Sequence, residues 1–172
     1  MSKTGASDPS SGPVVGDPAP QLALADPSGQ SVSLRSLRGR SVVIFFVPKA
    51  MTPGCTREAC AFAESLGAFE KRGAAVLGVC PDPVERAAKF AEAVKARYPM
   101  LADPDHAVCE RFGVWREKSM YGRKYWGVVR TTFVIDPKGR VALRYENAKP
   151  EGHVPAAMEA IDAIAKDRSK RG

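Results

Sequence analysis

The chain has 172 residues, of which 44 % are hydrophobic and 26 % charged, with a formal net charge of +7 and four cysteines. These proportions fit one globular domain with a useful core and leave no room for a second. No run of about eighteen apolar residues occurs, which excludes a membrane-spanning helix, and four cysteines in a chain of this size do not make a disulfide scaffold.

Met1 to Gly16 is rich in Ser, Gly and Pro and lacks the apolar centre of a secretory signal. Residues 1–14 are read as a flexible tail and 15–166 as the domain, with a cytoplasmic location expected. Gln21 to Ala25 alternates as a short strand, Asp26-Pro-Ser-Gly29 supplies a turn, and Ser31 to Leu34 is its hairpin partner. The apolar run Val42 to Val47 predicts a buried strand. A helix then begins near Cys55, because Ala59, Phe62, Ala63, Leu66 and Phe69 recur at helical spacing before a stop at Gly73.

Ala74 to Cys80 reads as a second buried strand, closed by Pro81-Asp-Pro83, and Val84 to Tyr98 carries apolar residues at helical spacing. A short Met100-Leu-Ala segment and a short helix over His106 to Phe112 follow. Arg130 to Ile135 and Val141 to Tyr145 flank Asp136-Pro-Lys-Gly139 as an antiparallel hairpin, and a last helix runs from Val154 to about Lys166. A parallel βαβ half joined to a hairpin and a terminal helix predicts an α/β three-layer sandwich of the thioredoxin-like type, with a central mixed sheet, helices on both faces and an N-terminal β-hairpin. Residues 167–172 form a basic tail. Lys166 to Arg171 alone contributes four cations against Asp167, so much of the positive excess is terminal.

The segment Pro-Lys-Ala-Met-Thr-Pro-Gly-Cys-Thr-Arg-Glu-Ala-Cys, Pro48 to Cys60, carries the chemistry. It sets Cys55 at a helix start, where unsatisfied N–H groups and the positive end of the helix dipole favour an anion. The sulfur there is expected to ionise readily, and the thiolate is the nucleophilic form of cysteine. Thr52 suits an N-cap. Cys60 lies five residues on, which is not the two-residue gap of a thioredoxin redox pair or a zinc knuckle.

The same segment resembles the peroxiredoxins, whose signature Pro-x-x-x-Thr/Ser-x-x-Cys is matched by Pro48, Thr52 and Cys55. Cys60 narrows the resemblance to the bacterioferritin-comigratory-protein, or PrxQ, subfamily. The likeness extends from about Val15 to Ile164 and includes Met120-Tyr-Gly-Arg-Lys-Tyr-Trp-Gly-Val-Val-Arg-Thr-Thr-Phe-Val-Ile-Asp136.

It implies a peroxidase in which Cys55 attacks hydroperoxide and Cys60 resolves the product as an intramolecular disulfide. Thioredoxin or a similar dithiol then recycles the enzyme, which works as a monomer with no cofactor or metal. It further implies that Thr52 offers its hydroxyl to peroxide or thiolate, that Pro48 walls the pocket and that Arg130 faces the sulfur.

Against this stand blander readings. Cys80, ending a strand, and Cys109, in a short helix, are read as packing residues, although the resemblance includes relatives that resolve through a cysteine outside the first helix, which keeps Cys80 as a minor candidate. His106 and His153 lie in polar, loop-like contexts and share no ligand spacing with the cysteines, so no zinc site is expected. Tyr121-Gly-Arg-Lys-Tyr-Trp126 mixes basic and aromatic residues, but no nucleic-acid-binding motif accompanies it. No nucleic-acid partner is expected, and Tyr121, Tyr125 and Trp126 are read as pocket wall or core. A thiol–disulfide oxidoreductase on the same fold would want a Cys-x-x-Cys pair, which this chain lacks.

Overall fold

The computed structural model describes residues 12–171, so most of the expected N-terminal tail lies outside the described residues. The elements run β1 (Ala23–Ala25), β2 (Ser31–Ser33), β3 (Ser41–Phe46), α1 (Pro53–Lys71), β4 (Ala74–Cys80), α2 (Val84–Ala93) and β5 (Met100–Ala102). There follow α3 (Ala107–Arg111), β6 (Trp115–Met120), β7 (Arg123–Val128), β8 (Thr131–Ile135), β9 (Val141–Glu146) and α4 (His153–Arg171).

Seven strands form one mixed sheet in the order β2-β1-β5-β4-β3-β8-β9. Strand β3 lies parallel to β4 and antiparallel to β8, and β4 lies parallel to β5. The N-terminal hairpin joins the edge of this sheet through the pairing of Ala25 with Ala102.

All six residues of β3 are buried, as a strand covered on both faces must be. Its alternate side chains split the core in two. Val43 and Phe45 point to the layer of α1, α2 and α4, where they meet Phe62, Leu66, Phe90 and Ile161. Val42, Ile44 and Phe46 point the other way, to Val108 and Phe112 around α3 and to Phe133. Phe45 stacks on Phe62 with ring centroids 4.2 Å apart, which fixes α1 against the sheet and therefore fixes the position of its first turn.

Three expectations need correction. Helix α2 stops at Ala93 rather than reaching Tyr98, because Lys95 takes a left-handed φ of 55°. Lys95 N then bonds Glu92 O and Ala96 N bonds Ala91 O, a Schellman closure built without glycine. Tyr98, released from the helix, buries its ring and donates its hydroxyl to Ala59 O of α1 at 2.7 Å.

The second correction concerns β6 and β7, which form a separate two-stranded sheet closed by a tight turn with positive φ at both Tyr121 and Gly122. Tyr121, Tyr125 and Trp126 are exposed on it (97 %, 39 % and 58 %), so they are not core, and Tyr121 and Tyr125 line a surface cleft at the hairpin tip whose lining does not include Cys55. Third, His153 is not in a loop. It is the first residue of α4 and is fully buried, and the helix that follows runs on to Arg171 rather than ending near Lys166.

Candidate active site

The parallel strand β3 delivers the chain to the carboxyl edge of the sheet, where the loop from Val47 to Thr52 turns it into α1. Two bonds hold this loop. Val47 N donates to Val79 O at 3.0 Å, and Ala50 N donates to the buried carboxylate of Asp82 at 2.9 Å. Pro48 lies half-buried in it, and Met51 takes a φ of 72°, a left-handed conformation that costs a methionine free energy and makes the turn abrupt.

Helix α1 starts at Pro53, two residues before Cys55, so the sulfur sits in the first turn rather than ahead of it. Thr52 occupies the N-cap position, but its hydroxyl makes no cap bond. It donates to Lys49 O at 2.9 Å instead, bracing the loop. Pro53 has no N–H to satisfy. The other N–H groups of the first turn keep no side-chain cap, which preserves their pull on an anion at this end of the helix.

Cys55 is buried, with 1 % exposure, and the guanidinium of Arg130 lies against it with Nη2 donating to Sγ at 3.6 Å. Three further features lock that guanidinium. Nη1 donates to Glu58 Oε1 at 2.8 Å, Nε donates to Ala148 O at 3.0 Å, and Gly54 leaves the space: a Cβ there would stand 3.1 Å from Nη2. Burial opposes the ionisation of Arg130, but the Cys55 sulfur and Glu58 together outweigh it, so the guanidinium stays charged.

Lys118 of β6 is a second cation near the sulfur. It is half-buried, donates Nζ to Val128 O at 2.9 Å, and is shifted downward by burial and by Arg130 while Cys55 pulls it back up.

Cys60 lies further along α1, half-buried and packed against the core. The other two thiols are sealed in the interior. Burial and the charge of Asp82 push Cys80 up to about 12, and burial followed by Asp103 pushes Cys109 higher still. Both therefore remain protonated and inert at neutral pH. Clefts of about 690 and 800 Å³, lined by Leu34 and Arg38 and by Ala160 and Arg168 respectively, do not reach Cys55.

Sequence reasoning missed Glu58, Lys118 and the role of Gly54. Glu58 had a signal, for a residue three positions after Cys55 on one helix lies on the same face. Its partner Arg130 enters from the head of β8, which no local pattern shows.

A buried thiol at a helix start, held against an arginine at the carboxyl edge of a thioredoxin-like sheet, defines a thiol-based redox protein. Residues 15–144 match the model of the AhpC/TSA family. The chain is 45 % identical over 139 residues to a putative peroxiredoxin of Mycobacterium tuberculosis, covering 81 % of this chain and 88 % of that one. It is 41 % identical over 138 residues to peroxiredoxin Bcp of Escherichia coli, covering 80 % and 88 %.

Among solved structures, the bacterioferritin comigratory protein of Xanthomonas campestris, described with an alkyl peroxide reduction activity, matches with a TM-score of 0.78 and 38 % identity over 84 % of this chain and 92 % of that one. A cysteine-to-serine mutant of PrxQ from Xylella fastidiosa matches with a TM-score of 0.83 and 29 % identity over 89 % and 98 %. The chain belongs to the AhpC/TSA family and, with these relatives, is a peroxiredoxin of the Bcp/PrxQ kind, a thiol peroxidase.

Proposed function

We propose that the protein reduces hydrogen peroxide and organic hydroperoxides through Cys55, resolves the oxidised sulfur with Cys60, and is recycled by thioredoxin or a similar dithiol. The observation that carries this reading is the 3.6 Å contact of Arg130 Nη2 with Cys55 Sγ inside a nearly closed site. A fixed cation there stabilises the thiolate and then the charge that spreads over sulfur and oxygen as the O–O bond stretches.

The Cys55 thiolate attacks the terminal peroxide oxygen, the O–O bond breaks, and the departing alkoxide or hydroxide takes a proton to leave as alcohol or water. Sulfur becomes a sulfenic acid. The thiol of Cys60 then displaces that hydroxyl, releasing water and forming a disulfide. Two thiols of the reductant return both cysteines to the reduced state by exchange through a mixed disulfide.

Cys60 is favoured as the resolving residue because it is the one remaining thiol that is not sealed in the core. Thr52 and Pro48 contribute by shaping the loop that presents Cys55. The protein acts in the cytoplasm as a monomer.

Peroxide consumption coupled to thioredoxin, measured for wild type beside Cys60→Ser, tests the reading. The variant is expected to consume one equivalent of peroxide quickly and then turn over poorly. Sustained wild-type turnover by Cys60→Ser would move resolution to another thiol.

A further inference from the structure

The guanidinium that faces Cys55 rests on Glu58, and Glu58 faces a side chain that the reaction above does not use. Its Oε1 accepts from Arg130 Nη1, whereas Oε2 is buried without a hydrogen-bond partner and lies 3.2 Å from His153 Nδ1, both side chains being 0 % exposed. The opposite ring nitrogen of His153 stands 2.9 Å from Asn147 O. A carbonyl only accepts, so Nε2 carries hydrogen, and a neutral His153 has a bare lone pair at Nδ1.

Thr132 Oγ1, at 2.7 Å, can donate into that lone pair. An ionised Glu58 would then turn an unpartnered carboxylate oxygen onto a second acceptor in a dry interior, an arrangement that costs free energy with nothing to offset it. One proton removes the conflict. On Oε2 it bridges to Nδ1 in place of the Thr132 hydroxyl, and on Nδ1 it bridges to Oε2 and to the Thr132 oxygen.

We infer that Glu58 and His153 hold one proton between Oε2 and Nδ1 in the reduced enzyme, and that His153 is thereby a positioning residue for Arg130 in the peroxide step. This rests on the reading of Cys55 as the peroxide-reducing thiol.

Burial raises the Glu58 carboxyl to about 7 against the pull of Arg130, and burial also lowers His153, so near neutral pH the shared proton lies on the Glu58 side of the pair. The other charged or titratable groups that face the pair are Arg130, Tyr98 ahead of β5 and Tyr145 of β9, with Cys55 on α1 and Lys118 of β6 lying beyond Arg130. The Tyr145 ring stands edge-on to His153 at 4.8 Å, and its hydroxyl crosses Gly152 where a side chain would block it. Tyr98 is raised by burial, and neither it nor Arg130 changes charge near neutrality.

While the pair keeps its proton, Arg130 presents a full positive charge to the sulfur. Loss of the proton leaves the Glu58 carboxylate to neutralise that charge. The pair is therefore titrated as a unit, and its state sets the field at Cys55.

The experiment combines imidazole ¹⁵N NMR of the reduced protein with stopped-flow oxidation by hydrogen peroxide across pH, in wild type, Glu58→Gln and His153→Gln. The amide introduced by Glu58→Gln keeps an oxygen for Arg130 and offers N–H to Nδ1, a permanent copy of the protonated acid. In wild type the His153 nitrogen signals and the alkaline limb of the rate profile should share one transition near the pH of about 7 set by Glu58, with the rate falling about tenfold across it.

Glu58→Gln should remove both transitions. His153→Gln should move the rate transition to lower pH, since an amide oxygen accepts from the neutral acid more weakly than the imidazole nitrogen does. A His153 signal indifferent to Glu58→Gln overturns the inference, as does a rate transition unchanged in both variants. If His153→Gln fails to fold, the NMR comparison with Glu58→Gln decides alone. A wild type inert to peroxide would sink the reading of Cys55, and the NMR arm would still answer for the shared proton.

Discussion

Cys55→Ser is expected to reduce peroxide consumption to the background rate, the largest single effect in this molecule. A serine hydroxyl is not ionised at neutral pH, even beside a guanidinium, and oxygen cannot climb the oxidation ladder that stores the peroxide oxygen on sulfur. No other thiol can take over. Cys80 and Cys109 are fully buried and raised, and Cys60 lies beyond the first turn of the helix, away from Arg130. Serine is nearly isosteric with cysteine in this site, so thermal melting should stay close to wild type while activity disappears. Measurable turnover by the variant in the coupled assay would show that another cysteine performs the peroxide step.

Arg130→Met is expected to slow the reaction of Cys55 with peroxide by about 10²- to 10³-fold, the size of effect seen when one donor to a developing negative charge is removed. Three contacts vanish at once: Nη2 to Cys55 Sγ, Nη1 to Glu58 and Nε to Ala148 O. Methionine fills much of the space, so the loss is mainly electrostatic.

Stopped-flow kinetics with hydrogen peroxide reads the rate directly. Glu58 loses the one group that opposes its burial and should hold its proton more firmly. An unchanged rate would assign the cation to another residue. Lys118 is the candidate, since its field reaches both the sulfur and Arg130.

The parts of the fold that were legible in the sequence are those whose pattern is local. Val42 to Val47 and Ala74 to Cys80 are unbroken apolar runs because both faces of β3 and β4 are covered, and α1 shows a clear helical period because one face packs on Phe45. The end of α2 was hidden because a left-handed lysine, rather than glycine, closes it. The β6–β7 hairpin buries almost nothing, so its residues carry no hydrophobic alternation to read.

The candidate site divides in the same way. Cys55 announces itself through proline and glycine at a strand-to-helix turn. Arg130 was reached only through family resemblance, because its meeting with Cys55 depends on the pairing of β3 with β8. Glu58 and His153 come from opposite ends of the domain and meet only after α4 docks beside α1. Nothing in the polar stretch from Asn147 to Gly152 indicates that the next residue is buried.

In the mechanism proposed above, one helix carries both the reacting and the resolving thiol. Cys55 and Cys60 both lie within α1 and are free. Five residues along an α-helix separate Cα atoms by about 8.7 Å, beyond the roughly 4.4 to 6.8 Å that a disulfide spans, so the bond requires the first turns of α1 to unwind. Amide exchange, followed residue by residue in the reduced protein and after one equivalent of peroxide, measures this directly. Thr56 to Ala61 should lose protection on oxidation while β3 and β4 keep theirs, whereas equal protection of the α1 amides in both redox states would contradict the account.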